Sequence, residues 1–158
     1  MRIWFAVSAV AALAGAPAAN AADRVVEAPI RTMVLAFNKG DVALAKSTHV
    51  AEPMILDGPT APFAWSGPRA FDDWIAALGQ SEAKTGKTGG KVALGPVTRA
   101  SVTGKQAYIV VPSTYTFRQA GRKMRETGTM TFALVKQSAD WKIKAWTWTS
   151  PEAMPVKR

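Results

Sequence analysis

The sequence predicts a single α+β domain in which three N-terminal helices pack on one face of a curved, antiparallel sheet. Before residue 79, apolar residues recur in two stretches with the 3.6-residue period of a helix. From residue 91 onward, the pattern changes to the two-residue alternation of a strand. The 158 residues are 48% hydrophobic and 20% charged, which is typical of one globular domain. Helices followed by a long meander of strands indicate an α+β protein.

The first two helices are marked by an apolar stripe and by residues that end or begin a helix. The stripe of the first helix consists of Val26, Ile30, Met33, Val34 and Phe37. Asn38-Lys39-Gly40 forms a stop signal, because Gly40 can adopt the left-handed conformation at a helix C-terminus. Asp41 can cap a short second helix that runs to Lys46.

A short strand, a loop and a third helix are predicted next. The strand covers residues 53–57 and ends at Gly58-Pro59, and residues 58–66 form the loop. The third helix starts at Ser66-Gly67-Pro68, and its apolar positions are Phe71, Trp74, Ile75 and Leu78. Residues 79–90 are polar and contain four glycines, which predicts a mobile connection.

Four strands are predicted after this connection, separated by turn signals at Thr103-Gly104, Ala120-Gly121 and Ala139-Asp140. They cover residues 91–102, 105–118, 124–137 and 140–149. The chain shows neither an internal repeat nor a domain linker, so we expect one domain.

The N-terminal residues have the features of a cleaved signal peptide. A basic start is followed by an apolar run from Ile3 to Ala14, and Ala19-Asn20-Ala21 fits a small-x-small cleavage site. An uncleaved membrane anchor is the alternative, but it needs about 20 strongly apolar residues, and this run is shorter and rich in alanine. We therefore predict a signal peptide at residues 1–21, a domain at residues 22–158, and a periplasmic or secreted protein.

The composition excludes several kinds of chemistry. The chain has no cysteine, which excludes disulfides, thiolate metal sites and cysteine nucleophiles. Its one histidine, His49, leaves little material for a multi-histidine metal centre or a Ser-His-Asp triad. We expect neither a metal nor a cofactor.

The formal charge of +9 raises the question of an anionic partner. Much of the basic charge lies around Arg118 to Arg125, where no aromatic residue is interleaved as a nucleic-acid site would require. We expect a solvated hairpin and no nucleic-acid partner. Weak attraction to anionic surfaces is the functional alternative.

Two motifs and the closing strand carry a family resemblance. The motifs are Ala36-Phe37-Asn38-Lys39-Gly40-Asp41 and Trp65-Ser66-Gly67-Pro68-Arg69-Ala70-Phe71, and the strand runs from Trp141 to Trp148. In this order and spacing the chain resembles the nuclear transport factor 2-like superfamily, and within it the SnoaL-like and ketosteroid-isomerase-like proteins, as an exported bacterial-type member. The resemblance implies a cone whose sheet and helices enclose a pocket, often in a homodimer. It implies no particular reaction, because the fold hosts enzymes and binding proteins alike.

The resemblance also places Asp57 at a position similar to the general base of ketosteroid isomerases. The simpler interpretation, which the sequence favours, is that Asp57 begins the Gly58-Pro59 turn. Ketosteroid isomerases also use a tyrosine from the first helix and a protonated aspartic acid from a later strand. Here the first helix has no tyrosine, and residues 83–125 contain no acid, so that mechanism lacks support. Tyr115 is a candidate to replace the missing tyrosine as hydrogen-bond donor, from a different wall of the pocket.

His49 is the side chain that normally titrates near neutral pH, and it is a candidate acid–base partner for Asp57. A histidine at a helix end is more often a cap or a surface residue, and that interpretation is favoured.

Candidate pocket residues are Trp65, Met130 and Trp146. Strict alternation along the last strand puts Trp141 and Ile143 on one face and Trp146 with Trp148 on the other, beside two lysines. Either the second face is exposed at one end and buried in a dimer, or a bulge turns the tryptophans into the pocket. For Trp65, a role at the pocket rim and a role in core packing are equally compatible with the sequence.

Three functions remain open from the sequence. The first is an exported domain that binds a small hydrophobic molecule in a cone-shaped pocket, without established catalysis. The second is an isomerase-, dehydratase- or cyclase-type enzyme with Asp57 as general base and Tyr115 or His49 assisting. The third is a dimeric protein-interaction module.

Overall fold

The computed structural model of the protein describes the backbone of residues 21–157 and the side chains from Arg24 to Lys157. Three helices lie in this range: α1 (Ala21–Lys39), α2 (Val42–Ser47) and α3 (Ala70–Thr85). The predicted signal peptide lies outside the described residues, apart from the backbone of Ala21. Among the described residues, no helix is long and apolar enough to cross a membrane.

Eight strands of the described range form one curved, unclosed mixed sheet with the order β2-β1-β7-β6-β5-β3. Strand β4 pairs with β5, and β8 pairs with β6. The strands are β1 (His49–Asp57), β2 (Ala64–Ser66), β3 (Thr88–Leu94), β4 (Arg99–Thr103), β5 (Gln106–Gln119), β6 (Arg122–Gln137), β7 (Asp140–Thr149) and β8 (Met154–Pro155). The predicted fold class is confirmed. The sheet is not wholly antiparallel, however, because β1 and β7 run parallel.

The predicted signals at the ends of the first two helices act as expected. Gly40 has a φ of 75°, and its N–H donates to the carbonyl of Phe37. The side chain of Asp41 accepts a hydrogen bond from the backbone N–H of Leu44 at 2.9 Å, which satisfies a free donor in the first turn of α2.

Asn38 anchors the end of α1 to β3. Its side-chain amide donates to the carbonyl of Val92 and accepts from the Val92 N–H, both at 2.8 Å. This pair of hydrogen bonds extends the β3 ladder onto the helix end and holds α1 over the sheet.

The predicted mobile connection at residues 79–90 is wrong. Helix α3 continues through Gly79 to Thr85, and Gly86 ends it in the left-handed conformation with a φ of 67°. Strand β3 begins only two residues later. Four glycines suggested mobility, but Gly86 serves as a helix C-cap, and Gly89 and Gly90 lie in the strand.

The first predicted strand of the meander is two strands. Residues 95–98 separate β3 from β4. Gly95 approaches Pro112 so closely that a Cβ there would lie 2.9 Å from the Pro112 carbonyl oxygen, and Pro96 has no N–H to donate to a ladder.

The strand predicted at residues 53–57 starts earlier, at His49. Pro53 suggested a strand start because it cannot donate to a ladder. In the structure, the register between β1 and β7 shifts between His49 and Met54, so that Pro53 lies where the ladder is interrupted.

A β-bulge in β7 decides which side chains face the helices. Ala133 of β6 pairs with Ala145, and the next residue, Leu134, pairs with Ile143, so that Lys144 is the extra residue. After the bulge, Trp146 lies on the same inner face as Ile143 and is 2% exposed. The bulge interpretation of the last strand is therefore the correct one, and Lys144 remains exposed to solvent.

Candidate functional site

A cavity lies between the helices and the inner face of the sheet. Its volume open to the centres of water molecules is about 80 Å³, room for about five to eight waters at the ~10–15 Å³ that each needs. Apolar side chains form most of the lining, among them Met33, Phe37, Phe71, Leu78 and Met130. The titratable groups in the lining are Asp57, Glu82, Lys87, Tyr115 and Glu126.

Asp57 presents a buried carboxylate to this cavity. The residue is 5% exposed. Its oxygen Oδ2 accepts a hydrogen bond from the indole N–H of Trp74 at 2.9 Å, whereas Oδ1 has no partner among the described residues. Burial raises the pKa of Asp57, and the Trp74 hydrogen bond opposes that rise.

The backbone of Asp57 also forms the turn that the sequence favoured. Its carbonyl accepts from the N–H of Thr60 at 3.2 Å, and its N–H donates to the carbonyl of Phe63 at 3.0 Å. The two interpretations of Asp57 are therefore compatible, since the main chain makes the turn and the side chain points into the cavity.

Strand pairing brings distant residues beside Asp57. Asp57 lies opposite Trp148 on β7, and Trp148 lies opposite Met130 on β6. Residues opposite one another on neighbouring strands share a face, so this row lines the cavity together. Trp148 thus faces the cavity.

Two tryptophan rings connect Asp57 to His49. Trp74 packs edge-to-face on Trp146, with 4.9 Å between ring centroids. The indole N–H of Trp146 donates to Nε2 of His49 at 3.1 Å. Nδ1 of His49 lies 3.1 Å from the carbonyl oxygen of Ala45 and donates to it, because the ring must keep Nε2 free to accept.

His49 is therefore neither a cap nor a surface residue, contrary to the favoured interpretation. It is the first residue of β1, is 7% exposed, and lies outside the cavity lining, behind Trp146. Burial lowers the pKa of His49 from 6.5 to about 4, and the positive charge of Lys142 acts in the same direction, while hydrogen bonds to the backbone of Ala45 and Lys46 oppose the shift. Both ring nitrogens are engaged within the wall, and Trp146 and Trp74 stand between the imidazole and Asp57.

Tyr115 lines the cavity from β5, which β6 separates from the strand of Trp146 and Trp148. Its hydroxyl donates to Oε1 of Glu82 on α3. Burial and this hydrogen bond raise the pKa of Tyr115, so that the phenol keeps its proton. Gly90 provides the space for Tyr115, because a Cβ at position 90 would collide with the phenol ring.

Glu126 supplies a second buried acid on a later strand, where the sequence suggested none. The residue is 4% exposed. Its Oε1 lies 3.5 Å from Nζ of Lys87, and its Oε2 accepts from the hydroxyl of Ser150 at 3.3 Å. The nitrogen Nζ of Lys87 also lies 4.6 Å from the ring centroid of Phe117. The acid-free stretch at residues 83–125 is real, but both acids that bound it face the cavity.

Periodicity could have identified Glu82 and Glu126. Glu126 lies four residues before Met130 on one strand, which puts both on the same face. Glu82 follows Trp74 and Leu78 at successive four-residue steps of α3, again on one face. Lys87 has no such signal, because it lies between two elements.

Of the other predicted pocket residues, Met130 and Trp146 line the cavity and Trp65 does not. Trp65 is 9% exposed and lies opposite Ile55, which separates it from Trp146 in the same row of the sheet. The core-packing alternative is therefore the correct one for Trp65. Among the described residues, no group of three or more histidine, aspartate or glutamate side chains is arranged to hold a metal ion.

The chain is similar to known proteins in structure but not in sequence. No family model and no curated protein matches the chain in sequence. The hexachlorocyclohexane dehydrochlorinase LinA-type3 from Novosphingobium barchaimii superposes with a TM-score of 0.72 at 9% identity, covering 86% of this chain and 90% of that chain. A ketosteroid isomerase-like protein from Erwinia carotovora atroseptica gives 0.65 at 14% identity, covering 84% and 98%.

A nuclear transport factor 2-like superfamily protein from Salmonella enterica also gives a TM-score of 0.65, at 16% identity, covering 80% of this chain and 89% of that chain. These similarities extend over most of each chain, and they agree with the cone of helices and curved sheet described above. The resemblance noted in the sequence is confirmed for the fold. The chain adopts the nuclear transport factor 2-like fold, built around a pocket.

Proposed function

We propose that the protein binds a compact, mostly apolar small molecule in this cavity, with a hydrogen-bond donor of that molecule at Oδ1 of Asp57. The observation that carries the proposal is this oxygen, which is buried in an apolar cavity and has no partner among the described residues. An unsatisfied buried acceptor costs about 1–3 kcal/mol, and a bound donor would remove that cost.

The proposal is tested with phenethyl alcohol, a single ring with one hydroxyl group. Titration should shift the indole N–H signals of Trp74 and Trp146 in NMR spectra. Asp57→Ala should weaken binding by about ten-fold, the equivalent of one hydrogen bond of about 1.4 kcal/mol. Asp140→Ala, which changes an exposed aspartate, is the matched control and should leave binding unchanged. Unmoved indole signals at millimolar alcohol would contradict the proposal.

An isomerase-, dehydratase- or cyclase-type enzyme is the second candidate. Asp57 favours it, because Trp74 fixes one carboxylate oxygen and the other has no partner among the described residues, while burial makes the group a stronger base. The single hydrogen of the Tyr115 hydroxyl is given to Glu82, whereas the Lys87 ammonium has three hydrogens and one carboxylate partner among the described residues, Glu126, so Lys87 is the better candidate to stabilise a developing oxyanion. His49 would act through Trp146 and not on the substrate.

Proton exchange tests this candidate without knowledge of the substrate. A small cyclic ketone in deuterated water should exchange its α-hydrogens faster with the protein than without it, because Asp57 would remove a proton and return a deuteron. Asp57→Asn should abolish the acceleration, and Asp140→Asn should preserve it. Exchange at the uncatalysed rate would count against a base role for this class of substrate.

Export and dimer formation are proposed as well. Export is supported by the sequence of residues 1–21, and the mass of the protein from its own source should correspond to a chain that begins at Ala22. A homodimer is supported by the resemblance and by Met54 and Leu56, which are 49% and 40% exposed on β1. Sedimentation equilibrium at increasing concentration tests it, and a monomer at the highest concentration would exclude it.

A further inference from the structure

The cavity and the rest of the molecule have opposite charge. The chain carries 20 lysine and arginine residues against 11 aspartate and glutamate residues. The cavity lining reverses this ratio, with three carboxyl groups, those of Asp57, Glu82 and Glu126, and a single ammonium, that of Lys87. Two of the carboxyl residues are 5% exposed or less, so solvent screens them weakly. An anionic ligand would meet repulsion in this cavity.

The three acids differ in how they are satisfied. Glu82 accepts from the Tyr115 hydroxyl, and Glu126 is held by Lys87 and Ser150. The neutral indole N–H of Trp74 donates to Oδ2 of Asp57, and the nearby Thr60 side chain also lowers the pKa of Asp57, but Oδ1 has no hydrogen bond of normal distance and angle among the described residues. A buried carboxylate is costly unless a positive charge compensates it, and no cation of the described residues makes a salt bridge with Asp57.

Aromatic rings surround the same part of the cavity. Trp74, Trp146 and Trp148 line it beside Asp57, and Phe37 stacks on Trp74 with 6.1 Å between ring centroids. The negative face of an indole attracts a cation, and aromatic rings together with a carboxylate are the usual surroundings of a bound ammonium group.

We propose that the ligand of this cavity is an organic cation, a compact apolar molecule with a protonated amine that docks between the tryptophans and donates to Oδ1 of Asp57. The inference rests on the proposed binding function and specifies its ligand class. A neutral alcohol would satisfy the hydrogen bond of Oδ1, but it would leave the charge of the carboxylate uncompensated. The cavity volume limits the molecule to about the size of one substituted ring.

The test compares three probes of nearly equal size: phenethylamine, phenethyl alcohol and phenylacetate. Calorimetry and the indole N–H signals of Trp74 and Trp146 should show the amine bound at least ten-fold more tightly than the alcohol, and phenylacetate more weakly than both. Asp57→Asn should remove the preference for the amine and keep binding of the alcohol, because the asparagine oxygen can accept from Trp74 while its NH2 group donates to the hydroxyl oxygen of the alcohol, whereas an ammonium group has no lone pair to accept. Asp140→Asn is the matched control, which should keep the preference.

The outcomes separate this inference from the proposed function. If the alcohol binds in the cavity as tightly as the amine, or if the preference persists in Asp57→Asn, the cation inference is overturned and the binding function stands. If none of the three probes moves the tryptophan signals, both are overturned. The comparison of probes in the unmodified protein needs no variant, so a folding defect in Asp57→Asn would not obscure it.

Discussion

His49 and Asp57 are both buried, and burial acts on their pKa values in opposite directions. It lowers the pKa of His49 and raises that of Asp57, because in each case it disfavours the charged form. The same two residues stand at the ends of one series of contacts, through Trp146 and Trp74. His49 must be neutral to accept the hydrogen bond of Trp146, and Trp146 in turn packs on the Trp74 ring that orients the Asp57 carboxylate.

We predict that His49 titrates near pH 4. It is the single histidine of the chain, so its imidazole signals in NMR spectra need no assignment by mutation. The measurement is the midpoint of the chemical-shift change between pH 3 and 8, with the acid-unfolded protein as the reference near 6.5. A midpoint near 6.5 in the folded protein would mean that the His49–Trp146 hydrogen bond does not exclude the imidazolium form.

The same shift predicts a loss of stability in acid. Between the folded pKa of about 4 and the unfolded value of 6.5, the unfolded chain binds more protons at His49, so the free energy of unfolding falls as the pH falls through this window. The loss amounts to about 3 kcal/mol when complete. Asp57 acts in the opposite sense, because its raised pKa favours the folded protein as the pH falls. Denaturant unfolding of His49→Gln should therefore show a smaller decrease than the wild type.

At the scale of elements, the length of α3 and the bulge of β7 determine the shape of the cavity. Helix α3 carries Trp74 and Glu82 on one face, two helical turns apart, and so contributes to both the aromatic and the polar wall. The bulge at Lys144 turns Trp146 and Trp148 inward. Without that extra residue, strict alternation would point both indoles away from Asp57.

Gly79 inside α3 and Gly86 just after its C-terminus should respond to alanine in opposite ways. Gly79 lies inside the helix with no atom near the position of a Cβ, so Gly79→Ala should raise the free energy of unfolding by about 0.5–1 kcal/mol. Gly86 has a φ of 67°, so Gly86→Ala should lower it by about 1 kcal/mol. Urea unfolding of both variants is the measurement. Equal effects would indicate that the helix ends before Gly79.

At the scale of the whole molecule, the basic charge and the acidic cavity are separated. Arg118, Arg122, Lys123 and Arg125 are exposed on the β5–β6 hairpin, whereas the carboxylates described above face inward. The composition suggests weak attraction to anionic surfaces, and we expect this hairpin to be the part of the molecule that contacts them.

Changing these four hairpin residues to glutamine should reduce retention on phosphatidylserine-containing vesicles at least ten-fold, because each base near such a surface contributes about 1 kcal/mol. Co-sedimentation measures the bound fraction, and retention of the wild type should decline as salt is raised. The control has the same net charge and changes four exposed bases elsewhere to glutamine, namely Lys39, Arg99, Lys105 and Lys136. Equal losses in both variants would show that net charge, and not the hairpin, is responsible.

Local sequence patterns were enough to predict the fold class, the three helices and the long strands β5, β6 and β7, but they missed β2 and β8 and joined β3 to β4. Local signals suffice for these features: the apolar stripe from Val26 to Phe37, the caps at Gly40 and Asp41, and the alternation of the later strands. The order of the motifs predicted a cone-shaped arrangement of helices and sheet, and the similar solved structures confirmed that fold.

Contacts between distant parts of the chain determine which functional side chains line the cavity. The bulge at Lys144 arises from pairing with β6, and the oxygen of Asp57 that has a partner is held by Trp74 of α3. Glu82 and Glu126, 44 positions apart, face the same space because a helix and a strand pack together. Periodicity assigns a residue to a face, but burial and partner choice depend on contacts between elements distant in sequence, which no local pattern encodes.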